Sequence, residues 1–414
     1  MKVRMVIGLV CVVLLASACE GARASGNPAG ANAAGTAVTG DLLLLDVGGS
    51  VQAVDAATGK ARFSEPGSVG LPGWSKLYPS EEASGVTTLL TIDGRTGATI
   101  SNAQIPGSFV SSVVSDDGSR LALVEPSAVA PLGSMPQGRA STRIAVADPS
   151  GTANTKIYRL SGNFVPEAFS TNDGVLFLLD YFPARSPQRY QVTRLDLRTG
   201  HVSPAFGAVK SPAPKMSGTR IMHVLSPDHH TLYTLYTNQD PSYSGQWGSG
   251  EVAFVHTLSL EYGQAVCIDL PKAFGPGAAG AKSLALSPDG SMLYAVDAAA
   301  GLVSVIGTTR RRVIETRHVS IGAAGDAIVS AQTGPDGTLY VGVGAQVVAV
   351  DPGTLAVEHR WSVGGVVSGL GVGSGRLYVA AGGRVLALDP STGRQVGWIS
   401  APGVRGIWFV AAGS

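Results

Sequence analysis

The sequence predicts an all-β chain, a single β-propeller of about eight four-stranded blades, with seven blades as the alternative. Three observations predict it. A tight-turn residue between two apolar runs recurs at Gly73, Gly118, Gly174, His229, Gly290, Gly337 and Gly375, at spacings of 45, 56, 55, 61, 47 and 38 residues. These bracket the roughly 40 to 50 residues of a four-stranded blade. A second turn recurs eight times, at Thr58-Gly59, Thr96-Gly97, Ser150-Gly151, Thr199-Gly200, Tyr262-Gly263, Thr308-Thr309, Gly353-Thr354 and Thr392-Gly393. Between the turns, small or polar residues alternate with Val, Leu, Ile and Tyr, the period of two that places one face of a strand inward.

With the strands of a blade lettered A to D from the inside outward, the first turn series separates A from B and the second separates C from D. The clearest copies are LSPDGSMLYAVDAAAGLVSVIGTT from Leu286, GPDGTLYVGVGAQVVAVDPGT from Gly334 and GSGRLYVAAGGRVLALDPSTG from Gly373. The chain ends supply one further blade. Asp41 to Asp46, Val51 to Asp55 and Ala61 to Ser64 read as B, C and D, and Gly406 to Val410 reads as a lone A strand. Pairing the termini in one blade satisfies the backbone edges that an open ring exposes.

The segments LYAVD, LYVGVGA and LYVAAGG, each after a PDG-like turn, resemble YVTN and quinoprotein-type β-propellers, with WD-like repeats, over roughly residues 41 to 410. GNFVPEAFSTNDGVLFLLDYFP and RYQVTRLDLRTG also resemble stretches of uncharacterised actinobacterial propeller lipoproteins. The resemblance implies a fold and a surface location. It fixes no substrate, because propellers host enzymes, receptors and scaffolds alike.

Residues 1–18 carry Lys2 and Arg4, an apolar run from Met5 to Leu15, and Ala16-Ser17-Ala18 before Cys19. That is an export signal, too short in its apolar part for a membrane-spanning helix. Ala16-Ser17-Ala18-Cys19 resembles a bacterial lipobox, departing from it at Ala16, where Leu is usual. The expectation is therefore a signal peptide over 1–18, a lipidated Cys19 with a flexible tether to residue 39, and the propeller over 40–414. This places the protein on the outer face of the cell membrane through its lipid anchor alone, with plain secretion as the alternative. Cys11 leaves with the signal, so Cys267 has no intramolecular partner if Cys19 is lipidated; a small buried thiol is expected.

The 414 residues hold 30 Lys+Arg against 29 Asp+Glu, with 44% hydrophobic and 14% charged. So low a charged fraction excludes a disordered chain, and the absence of a basic face argues against nucleic acid as a partner. A monomeric propeller binding a protein or cell-wall ligand, without catalysis, is the leading functional expectation.

Strand order puts the A–B and C–D turns on one face, the bottom, and the B–C and D–A connections on the other, the top. The long spacings arise where B–C connections swell, at Glu125 to Ser141, Tyr181 to Tyr190 and Thr237 to Glu251. Adjacent long loops on a rigid scaffold are where binding concentrates. They carry the ligand-binding candidates Arg139, Tyr181, Arg185, Arg189, Tyr190, Tyr243 and Trp247, beside Phe182, which offer stacking faces and planar donors. Glu167, Arg220, Lys282, Asp326 and Arg405 stand near the starts of A strands, at the mouth of the central channel, with His223 deeper. Glu167, His223 and Asp326 are the channel candidates for the alternative function, a metal-dependent hydrolase or lactonase holding a divalent metal; charges that neutralise one another compete with that reading. His229-His230 and Asp116-Asp117-Gly118 read as solvated turns. The sequence has no HExxH, CxxC, G-x-S-x-G or GxxxxGK[ST] motif, and the leading reading assigns no catalytic residue, no metal ligand and no cofactor.

Overall fold

Strand after strand in this chain is apolar on both faces, and the fold follows from giving each face a neighbour. The computed structural model describes residues 40–129, 133–207, 212–240, 252–275, 278–322 and 328–413. They form eight antiparallel sheets, the eight blades of a β-propeller. Blade 1 joins the two ends of the chain, with A as Val404–Ala411, B as Leu42–Val47, C as Ser50–Asp55 and D as Ala61–Pro66. The other A strands, in blade order, are Val69–Gly70, Val110–Val114, Asn163–Phe169, Thr219–Leu225, Lys282–Leu286, Ser330–Thr333 and Val367–Gly373. All seven expected A–B turns and all eight expected C–D turns fall where the sequence places them, and seven blades are not needed.

The expectation of a single inward face needs correcting for the inner strands. Leu42, Leu43, Leu44 and Leu45 are all buried; Leu43 and Leu45 pack towards blade 8 with Tyr378 and Val385, and Leu42 and Leu44 towards blade 2 with Leu77 and Ile92. Because successive side chains point to opposite faces, one strand serves two cores. Eight such cores alternate with the eight blades. The D strands are the exposed rim, as in Ala61–Pro66, where half the positions or more are open to solvent.

Local chemistry explains the turns. Asp55, at the end of its C strand, accepts the Thr58 N–H at 2.9 Å and the Thr58 hydroxyl at 3.0 Å, and Asp93, Asp196, Asp351 and Asp389 repeat the device. These bonds close the C–D hairpin and hold Asp93, Asp196 and Asp351 below their ordinary range, while Arg62 acts first on Asp55 and the Ser391 hydroxyl first on Asp389. In the A–B turns a Ser hydroxyl bonds an Asp two residues on, as at Ser287 and Asp289, 2.6 Å apart. In blade 5 His229 itself takes the left-handed position, at φ 59°, which a glycine fills in other blades. Pro79 splits the B strand of blade 2 into Lys76–Tyr78 and Ser80–Ala83, since it has no N–H to give the ladder.

The ring is closed by close approach. A Cβ added at Gly371 meets Ile407 at 2.8 Å, and one at Gly373 meets Val410 at 2.3 Å, so the A strand of blade 8 lies directly against the C-terminal strand. Asp41, fully buried, accepts from the hydroxyls of Ser374 at 2.6 Å and Tyr378 at 2.7 Å and from the backbone N–H of Gly413 at 3.1 Å. One carboxylate thus ties blade 8, blade 1 and the C terminus together.

His256, in the C strand Phe254–Ser259 of blade 5, is 3% exposed, and its Nε2 has no hydrogen-bond partner among the described residues. Burial pulls its imidazole down to about 4. Below pH 6.5 the unfolded chain binds this proton and the folded one does not, so stability falls as pH drops from 6.5 and levels off below 4. The share of this one residue is about 3 kcal/mol at most. Urea unfolding of the wild type and of His256→Gln at pH 7.5, 6, 5 and 4 is expected to show a shallower acid loss in the variant; parallel curves would exclude this role. Cys267, a free thiol half-buried 3.8 Å from the Met216 sulfur, is pushed well above its ordinary value by burial, as expected for an unreactive core thiol.

Candidate functional site

The central channel is lined by A strands, and five of them carry a bulge. The extra residues are Arg405 and Trp408 in blade 1, Ser112 in blade 3, Glu167 in blade 4, Ile221 in blade 5 and Ser368 in blade 8. All six line the channel. A bulge re-aims a side chain out of the alternation, and here it turns residues into the lumen that a strict period of two assigns elsewhere. These residues, apart from Glu167 and Arg405, were missed by sequence reasoning. The signal for Ser112, Ser368 and Trp408 was a polar or outsized side chain in a strand of smaller apolar residues, and Ile221 carried none.

Two chambers result. The upper, 490 Å³, is lined by Ile221, Met222, Ile328, Arg405 and Ile407 among others, and the lower, 350 Å³, by Val69, Trp74, Ser112, Phe169, His223 and Leu225 among others. Trp408 borders both, is 52% exposed within the ring, and stacks on Trp74 with ring centroids 5.8 Å apart. Glu167 and His223 share the lower chamber as expected of channel residues. Glu167 is 8% exposed and already paired, its Oε2 2.7 Å from Nη1 of Arg220. Burial acts to lower Arg220, but the Glu167 charge outweighs it and holds the guanidinium above its usual value. Burial likewise pulls His223 below 6.5, so it is neutral at pH 7. Asp326 lies outside the described residues. Among the described residues no group of three or more His, Cys, Asp or Glu side chains is placed to hold a metal ion.

Lys282, expected at the mouth of the channel, borders the upper chamber but turns its charge away from solvent. Its side chain is fully buried and lies 3.0 Å from Asp297, directly opposite it in the B strand of blade 6. On the bottom face, His229 Nδ1 and Asp116 Oδ1 are 2.5 Å apart, joining the A–B turns of blades 5 and 3 at the rim of the lower chamber. Two turns read separately as solvated are therefore one clasp, between residues 113 positions apart.

On the top face the loops of blades 3 and 4 interlock. The Arg139 N–H donates to Ala184 O at 2.9 Å, Asn163 bonds both Gln137 O and Ala184 O, and a Cβ at Gly138 meets Arg185 O at 2.1 Å. The Arg139 side chain is spent on structure, donating to the Thr142 hydroxyl and to the carbonyls of Ser127 and Phe164. Gly133 of the same loop donates to Arg220 O at 2.8 Å and lines the upper chamber, so the blade 3 connection arches inward over the channel.

The hairpin of blade 4 is shorter than expected. Its strands run to Phe182 and from Arg189, and Tyr181 and Tyr190 face one another in register, 3% and 1% exposed. They join Tyr236 and Phe254 in a run of ring contacts with centroids 5.0 to 5.3 Å apart, in the core between blades 4 and 5. Tyr181 and Tyr190 thus offer a partner no stacking face. Arg185 and Arg189 are exposed on the ridge. Tyr243, Trp247 and the rest of 241–251, with Cys19, lie outside the described residues.

No protein-family profile matches the chain, and no curated protein matches its sequence. Solved structures do resemble it. Apo AztD from Citrobacter koseri is 13% identical at a TM-score of 0.58, over 91% of this chain and 99% of that one. The dihydro-heme d1 dehydrogenase NirN, in complex with DHE, is 12% identical at 0.56, over 92% and 77%. Sqt1 of Saccharomyces cerevisiae is 12% identical at 0.50, over 80% and 84%. At such identities the likeness is one of fold, and the chain is a β-propeller.

Proposed function

We propose that this chain is an exported, non-catalytic binding propeller that takes a small ligand into the lower chamber of its central channel. In this reading residues 1–18 are removed, lipidated Cys19 and the tether to residue 39 hold the ring at the outer face of the membrane, and the repeats are kin to YVTN and quinoprotein-type propellers. One observation carries the function: the bulged strands converge Trp408, Ser112 and Glu167 on an apolar chamber of 350 Å³ beside a neutral His223. A mostly apolar cavity of ligand size with a few convergent polar groups is the general form of a small-molecule site. Ser112→Trp, which fills the chamber from a strand already bulged, tests it. Mass spectrometry of molecules retained from a cell-envelope extract is expected to find a ligand on the wild type and not on the variant. Equal retention by a folded variant would refute the site.

A second reading, a protein or cell-wall partner on the top face, draws on the interlocked ridge that presents Arg185 and Arg189. Rigid loops spend little entropy on binding, and arginine is enriched at recognition surfaces. Crosslinking in cells is expected to capture a partner with the wild type and to lose it on Arg185→Glu with Arg189→Glu, or on shortening 237–251. Capture that survives both changes would remove the ridge from consideration.

A further inference from the structure

The lower chamber has a chemistry of its own. Its aromatic wall is Trp74, Trp408 and Phe169, and its charged side chains are Asp116 and Glu167, with no Lys or Arg among its described lining residues. Arg220 neutralises Glu167 from behind, and His229 shares a proton site with Asp116 at the rim. Trp408 is the anomaly that needs a partner. It sits inside the ring, stacks on Trp74 with the two ring planes 26° apart, and still leaves 52% of its surface exposed. An indole face is electron-rich, and a cation laid on it is attracted, more strongly when water is displaced. A carboxylate within the same cavity adds to that attraction and repels an anion.

We propose that the lower chamber binds a flat aromatic organic cation, its ring laid on Trp408 and its charge towards Asp116 and Glu167. This rests on the channel reading above and narrows it to a ligand class.

The full exported chain is titrated at pH 8 with three probes of like shape, 1-methylquinolinium, quinoline and naphthalene-1-sulfonate, followed by tryptophan fluorescence and calorimetry. The cation is expected to bind about tenfold more tightly than uncharged quinoline, and the sulfonate not to bind. Trp408→Ala is expected to weaken the cation about tenfold and Trp408→Phe no more than about threefold, with Asp116→Asn weakening the cation and sparing quinoline. Should Trp408→Ala fail to fold, Trp408→Phe and Asp116→Asn still decide the matter. Quinoline binding as tightly as the cation, in a Trp408-dependent way, would sink the cation class and leave the chamber as a site. Sulfonate binding as well as the cation, no binding of any probe, or cation binding untouched by Trp408→Ala and Asp116→Asn would overturn the proposal. The chamber reading itself stands or falls separately, on retention by Ser112→Trp.

Discussion

A chain lacking residues 404–414 is expected to show no cooperative melting transition. The deleted strand pairs along the whole of Leu42–Val47, from Leu42 opposite Ala411 to Val47 opposite Val404. Its side chains enter two cores, Val404, Ile407 and Val410 on the side of blade 8 and Phe409 and Ala411 on the side of blade 2. Fully burying a large apolar side chain contributes roughly 1.5–3 kcal/mol; Val404 is buried and Ile407, Phe409 and Val410 half-buried, and their loss, with that of a whole ladder of hydrogen bonds, is set against an ordinary domain's stability of about 5–15 kcal/mol. The deletion also frees the polar edge of an apolar strand, LLLLDV, inviting association with other chains. Circular dichroism melts and size-exclusion chromatography of the truncated and full chains check this. An unchanged melting curve would mean that the ring does not depend on its closing strand.

The second large effect is expected at a pair of charges. Lys282 and Asp297 are 0% and 2% exposed in their side chains and lie 3.0 Å apart, and Asp297 also accepts the Ala300 N–H at 3.0 Å. Lys282→Ala leaves a buried carboxylate without its counter-charge, at an expected cost of about 3–5 kcal/mol. Replacing both, Lys282→Met with Asp297→Leu, removes two desolvated charges together and is expected to cost far less, because a buried pair gains little over well-packed apolar residues. Urea unfolding of the single and double variants separates the two cases. A single variant within about 1 kcal/mol of wild type would show that water reaches the pair.

The fold was legible almost to the residue because its turns have local causes. Asp55 and Thr58, or Ser287 and Asp289, bond across two or three positions, so the sequence window holding the signal also holds the structure. Strand ends were less legible. Tyr181 and Tyr190 read as the ends of a swollen B–C connection, yet the ladder runs on to Phe182 and Arg189 and turns both rings into the core. Arg139 looked like a donor for a partner and is instead consumed by carbonyls of its own and the next blade.

Sequence by itself determined the number of blades, the ring closure and the face on which each connection lies, since these depend on periodicity and on turns closed by neighbours in the chain. Tertiary structure alone decided which residues enter the channel and which charges meet. Bulges at Ser112, Glu167, Ile221, Ser368, Arg405 and Trp408 break the period of two that a sequence reading must assume. The pairs Glu167 with Arg220 and Asp116 with His229 join residues of different blades. Such contacts are set by how whole sheets pack around an axis, and no local spacing encodes that arrangement.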